Sequence, residues 1–184
     1  SHDSPSAGYL IRKRVDPSAI PSDSKGTYIK RQGIVYRLAE AYLSYAECLL
    51  EYAITNGSYV QAQSEIIKYV NKIRERAGIP VYGSGQGEIP IPTDPEVMRD
   101  LIHRERRVEL NCESGNRWYD LRRWKEAETA LDGDFYGMNT KADNKEDFYK
   151  RTKYQTRKFI SYWWPIPQDD IDKNANLVQI PDWN

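Results

Sequence analysis

A mostly α-helical fold of antiparallel helical hairpins, with long irregular loops, is what this sequence predicts. Three observations carry the prediction. Apolar residues recur at three- and four-residue spacing in four separate segments, the period of a helix with one buried face. The segments form two pairs, 34–54 with 58–77 and 95–112 with 116–131, and the links within each pair are short enough to force a return. The links and ends carry residues that tolerate left-handed backbone or cannot continue a helix.

Taken in order, residues 1–33 are rich in Ser, Pro, Gly and charge and read as an irregular segment, extended from Gly8 to Arg14. One helical domain is expected from 34 to 184. In the first helix Val35, Leu38, Ala39, Tyr42, Ala46, Leu49, Leu50 and Ala53 form the apolar stripe, and Glu40, Ser44, Glu47 and Glu51 the polar one. It stops at Asn56-Gly57. Ser58 and Gln61 then have capping-box spacing. Ala62, Ile66, Val70, Ile73 and Ala77 are the buried stripe of the second helix, which Gly78 and Pro80 end. Residues 79–93 read as a flexible loop. Its run Gly83-Ser84-Gly85-Gln86-Gly87 follows a helix and lacks Gly-Lys-Ser/Thr, so it is not a phosphate cradle.

Asp94 caps a third helix with Pro95 at its first position. Val97, Met98, Leu101, Ile102, Val108 and Cys112 are its apolar face, and Glu105 falls among them, where a carboxylate needs a partner. In the fourth helix Trp118, Leu121, Arg122 and Trp124 face inward. Residues 132–158 are polar and read as a long loop. An aromatic run, Tyr162 to Pro167, a helical turn at 168–172 and an irregular tail follow. Tetratricopeptide repeats use about 34 residues per helix pair. The first helix here exceeds that unit and the small-residue positions match it loosely.

Composition narrows the chemistry. Lysine plus arginine and aspartate plus glutamate both number 27, so the net charge is zero and the basic excess of a nucleic-acid binder is missing. No apolar run is long enough to span a membrane. Cys48 and Cys112 lack CxxC spacing, which indicates neither zinc nor redox chemistry and leaves their pairing open. His103 has no second histidine at zincin spacing, no Gly-x-Ser-x-Gly elbow occurs, and no acid, base and nucleophile set is assembled. No cofactor or metal is expected, and no catalysis. The 14 tyrosines and 5 tryptophans against 3 phenylalanines suit half-wet surfaces, whether core edges or sugar-stacking faces.

The densest constellation is Glu105, Arg106 and Glu109 followed by Arg117, Trp118, Asp120, Arg123 and Trp124. Arginine forks pair with carboxylates and stack on aromatic rings. The favoured reading is an ion-pair network locking the third helix to the fourth, ahead of an anion-binding site. Asp100–Arg104, Glu113–Arg117 and Arg122–Glu126 have pairing spacing along their helices.

The same residues carry a family resemblance. Glu105 to Leu110, with Glu113-Ser114-Gly115-Asn116-Arg117-Trp118-Tyr119-Asp120-Leu121-Arg122-Arg123-Trp124, resembles the signature helix pair of the SusD/RagB family of outer-membrane nutrient-binding lipoproteins. Arg37 to Leu43 with Tyr45-Ala46-Glu47, Asn71-Lys72-Ile73-Arg74-Glu75-Arg76-Ala77-Gly78, Trp164 to Gln168, Asn174 to Gln179 and Trp183 are similar to further family segments, in order over most of 28–184. Ser114 lengthens the family's turn by one residue, and Trp163 stands where an aliphatic residue is usual.

The resemblance implies the C-terminal portion of a longer protein, tetratricopeptide-like, whose lipid-bearing cysteine lies outside this chain. It implies an anchor on the outer face of the outer membrane, oligosaccharide or polysaccharide capture without catalysis, and a SusC-like TonB-dependent transporter as partner. Tyr136, Tyr149 and Tyr154, on the long loop, are the candidate glycan contacts. A protein-interaction scaffold without a ligand of its own, and a glycoside hydrolase, stay open as alternatives. If a further portion covers the first two helices, they should expose an apolar patch.

Overall fold

The computed structural model describes residues 5–13, 15–19, 26, 29, 33–113 and 115–183. Arg14 and Ser114, which bear on the expected extended segment and the lengthened turn, lie outside them. The chain divides into two compact units, residues 14–117 and residues 1–13 with 118–184.

The first unit holds α1 (Leu38–Thr55), α2 (Tyr59–Ala77) and α3 (Pro95–Glu109). α1 packs along α2, and α3 lies against α1. Ala46, Leu50, Tyr59, Ile66, Ile67, Val70, Met98 and Ile102 form one buried cluster, and Leu43, Ile73 and Leu110 a second. These are the periodic positions of the three helices, and burying each large aliphatic contributes about 1.5–3 kcal/mol. α1 and α2 both end in Schellman geometry. Gly57 and Gly78 take left-handed backbone (φ 64° and 68°), and Ser58 N and Ile79 N reach back to Ala53 O and Arg74 O.

α1 begins at Leu38, four residues later than its apolar spacing suggests. Arg37 stays extended because its guanidinium is held by Glu109 and Glu113. Val35 and Leu38 are consequently exposed, and Glu47, expected in the polar stripe, is buried. The Ser58–Gln61 capping box does not form: Ser58 is not extended and makes no side-chain cap bond, because its amide serves the Schellman turn. Asp94 does cap α3, its Oδ1 accepting from Glu96 N at 2.9 Å. α3 ends at Glu109 rather than 112, and Cys112 follows with φ 61°. Val97 and Val108 are exposed. Cys48 and Cys112 are free and exposed.

The loop 79–93 is pinned rather than flexible. Asn71 brackets Tyr82, donating to its carbonyl at 2.8 Å and accepting from its amide at 2.9 Å. Arg74 Nε donates to Pro80 O at 2.6 Å, and Tyr59 and Gln63 both donate to Pro92 O. Burial pushes the Tyr59 and Tyr82 phenols above the ordinary tyrosine value. Leu38, Tyr45 and Tyr52, seven residues apart along α1, and Val60 of α2 are exposed.

α4 (Asn116–Arg123) crosses the division between the units. The single helix expected over 116–131 is broken. Lys125 takes φ 61°, Lys125 N bonds Arg122 O, Glu126 N bonds Leu121 O, and a short α5 (Ala127–Ala130) restarts. This is again a Schellman turn, closed by a lysine.

The expected long loop 132–158 is instead a β-hairpin, β1 (Gly133–Gly137) with β2 (Thr152–Arg157), antiparallel, with a bulge between Phe135 and Tyr136. Its connection carries α6 (Lys145–Phe148), capped by Asn144. Met138 N bonds Ala7 O, so Ala7 lies against the end of β1. α7 (Gln168–Lys173) and a 3₁₀ turn (Pro181–Trp183) complete the chain. No helix among the described residues is long and apolar enough to cross a membrane.

Candidate functional site

The site builds up from the i, i+4 face of α4. Trp118 and Arg122 share that face, and the Arg122 guanidinium lies 4.0 Å from the Trp118 ring centroid. The next turn anchors the helix. Leu121 and Asp120 are buried, Asp120 accepts from Arg123 at 2.9 Å, and Arg123 stacks on Trp124.

Arg122 also orders the extended segment after β2. Its Nη1 donates to Ser161 O at 3.1 Å and Tyr162 O at 2.7 Å. That contact brings Trp164 beside Trp118, centroids 5.9 Å apart and tilted by 44°, with the guanidinium 5.3 Å from the Trp164 ring. Phe159 N donates to Asp132, and Trp183 Nε1 donates to Trp163 O at 2.9 Å, folding the C-terminus back onto the segment. Gln179 holds both the amide and the carbonyl of Ile166.

The result is an open cleft of about 410 Å³, with Trp118, Trp164, Trp183 and Phe159 as aromatic walls and Gln155 to Lys158 along one rim. That volume falls within the ~300–1,000 Å³ range of small-molecule sites. Trp164 keeps 66% of its surface open, so a ring face is available to a ligand. Arg122 Nε and the Tyr162 hydroxyl are buried without a hydrogen-bond partner among the described residues. Aromatic faces beside planar polar groups can stack on a sugar ring and bond its hydroxyls. Among the described residues no group of three or more His, Cys, Asp or Glu could hold a metal ion.

The three tyrosines singled out in the sequence do not line this cleft. Tyr136 is on β1 with Arg151 stacked 3.7 Å from its centroid, and Tyr154 is half-buried on β2. Tyr149 is exposed and packs edge-on against Phe148. The cleft's tryptophans were visible as residues. Trp118 and Trp164 are separated by 46 positions, however, and no local pattern joins them.

The charged residues of α3 reach Arg37, α1 and α2. Glu105 takes Arg74 of α2, both side chains about 10% exposed. Arg106 donates to Ser44 at 3.0 Å and faces Glu47 at 3.7 Å, both on α1. Glu109 takes Arg37 and also Arg76, the latter at 2.7 Å. Burial alone would lower the Arg37 pKa, but hydrogen bonds to Glu113 and Glu109 outweigh it and hold the value above normal. These carboxylates and arginines clamp α3 to α1 and α2. Arg117 lies half-buried in the first turn of α4. Arg122 bonds the carbonyls of 161 and 162, and Glu113 takes Arg37.

The described residues thus form a mostly helical chain with an open aromatic cleft. The profile of the SusD family matches residues 1–183, and the chain belongs to that family. It is 32% identical over 149 residues to SusD-like protein P2 of Formosa agariphila, covering 79% of this chain and 24% of that protein. SusD-like protein P25 of the same organism is 39% identical over 92 residues, 50% of this chain and 15% of the relative. A crystal structure of a SusD-like protein from Bacteroides fragilis superposes with a TM-score of 0.56 at 33% identity, over 79% of this chain and 25% of that one. The chain therefore spans about a quarter of the length of SusD-like protein P2 and of the Bacteroides fragilis protein.

Proposed function

We propose that this chain belongs to a cell-surface glycan-binding component of a TonB-dependent uptake system, without catalytic activity of its own. Family membership supports the class, and the Trp118–Arg122–Trp164 cleft supports sugar as the ligand. The exposed Trp164 face stacks on a pyranose, and Gln155 and Thr156 on the rim supply hydrogen-bonding groups. Tyr149 on the hairpin connection, with Tyr136 and Tyr154 nearby in sequence, is a second contact area in this reading. The partner is a SusC-like transporter, and the location is the extracellular face of the outer membrane, through a lipid anchor outside these residues.

The test is a glycan array followed by titration calorimetry on the full chain and its Trp164→Ala variant. Binding that weakens at least about tenfold in the variant, the loss of one stacked aromatic contact, supports the reading. A chain that binds no glycan at all refutes it. The exposed stripe of Leu38, Tyr45 and Tyr52 favours a second reading, a scaffold that docks on protein. Retained transporter binding with an empty array selects it.

A further inference from the structure

We propose that the cleft walled by Trp118 and Trp164 selects an anionic sugar unit, a pyranose carrying a carboxylate or a sulfate ester, over a neutral one. The inference rests on the glycan-capture reading and names the substrate class of that same site.

Its basis is a local separation of charge. Acids and bases are equally numerous in the chain. The cleft nevertheless places Arg122, Arg157 and Lys158 on its lining and no aspartate or glutamate. Arg122 has only neutral partners among the described residues: two backbone carbonyls and the rings of Trp118, Phe159 and Trp164. Arg157 lies over Phe135 at 4.8 Å and donates to the neutral Gln155 side chain at 3.0 Å. Lys158 is exposed on the rim. Two nearby acids stand behind the lining and bond residues of it. Asp132 accepts from Phe159 N at 2.8 Å, and Asp134 from the Thr156 hydroxyl at 2.5 Å while facing Lys153 at 3.4 Å.

An aromatic wall whose lining holds three cations and no carboxylate suits a ligand whose ring is apolar on one face and whose substituent is negative. Stacking places the ring, and the cations then read the substituent. A neutral sugar would use the same walls and gain nothing from Arg157 or Lys158. Surface charge pairs of ordinary strength, summed over these side chains, give a preference of about tenfold.

The experiment titrates the full chain with three length-matched probes: an oligogalacturonate, a sulfated galactan oligosaccharide and a neutral galactan oligosaccharide. The expected result is that one or both anionic probes bind about tenfold tighter than the neutral one, with a preference that shrinks as salt is raised past about 0.15 M. Which anionic probe wins distinguishes carboxylate from sulfate. Arg157→Gln with Lys158→Gln, two exposed positions whose change is checked by an unaltered circular dichroism spectrum, should reduce the preference to within about twofold. Equal binding of neutral and anionic probes overturns the inference and leaves glycan capture standing. An anionic preference that survives the double substitution also overturns it, by placing the selectivity elsewhere. Binding of none of the three, with an empty array, removes both readings.

Discussion

Replacing Glu105 with alanine should cost about 3 kcal/mol, and the structure shows why. Glu105 is the described carboxylate partner of Arg74, and both are about 90% buried where α3 crosses α2. Without it the guanidinium keeps Pro80 O and the Tyr82 ring 4.7 Å away, neither of which carries a full negative charge. Removing one member of a buried pair typically costs about 3–5 kcal/mol, because the other charge stays desolvated; residual exposure puts this site at the low end. Arg74→Met with Glu105→Leu removes both charges and should cost less than about 1 kcal/mol. The assay is urea denaturation followed by far-ultraviolet circular dichroism. All five tryptophans lie between 118 and 183, outside the unit formed by 14–117, so fluorescence would report the wrong part of the chain. With a urea dependence of about 2 kcal/mol per molar, the single variant should lose about 1.5 M of midpoint. A single-variant loss below about 1 kcal/mol, or a double variant as unstable as the sum of its singles, would refute the argument that an unpaired buried charge sets the cost.

Two further predictions concern the hairpin. Asp134, bonded first by Thr156 and then Lys153, and Asp147, bonded by Lys150 and Asn144, are both held below the ordinary carboxylate value. Depressed folded values mean their contribution is present above the unfolded pKa of about 3.9 and is lost as pH falls through the folded ones. The hairpin and its connection should therefore loosen only below about pH 4. Carboxyl-carbon titration by NMR checks this, and midpoints at or above the ordinary value would contradict it. Gly137→Ala should detach the N-terminal segment, because a Cβ there would lie 2.5 Å from Ala7 O. Overpacking of this kind costs about 1–3 kcal/mol. Hydrogen exchange at the Met138 amide, which bonds Ala7 O, should accelerate, and unchanged protection would count against the close packing.

Helix turns show where the sequence was legible. Gly57, Gly78 and Lys125 all take left-handed backbone at Schellman closures. The glycines announced two of them, since glycine enters that region without a steric cost. Lys125 announced nothing, and the helix expected through 131 breaks there. Glu105 was recognisable as a misplaced carboxylate, but its partner lies 31 positions away. The hairpin escaped because β1 is short and bounded by Gly133 and Gly137, and β2 is polar and mostly exposed, which leaves little apolar alternation to read.

By itself the sequence determined the helical periods, the capped start of α3, the glycine-closed ends of α1 and α2, and a set of family-like segments. Those are local properties: each depends on residues within one or two turns of each other. Only the tertiary structure decided that Arg37 delays α1, that the charged cluster clamps α3 to α1 and α2, and that Trp118, Arg122, Trp164 and Trp183 meet around one cleft. Charge pairing and ring stacking depend on distances of a few ångströms between residues tens of positions apart, and packing alone fixes those distances.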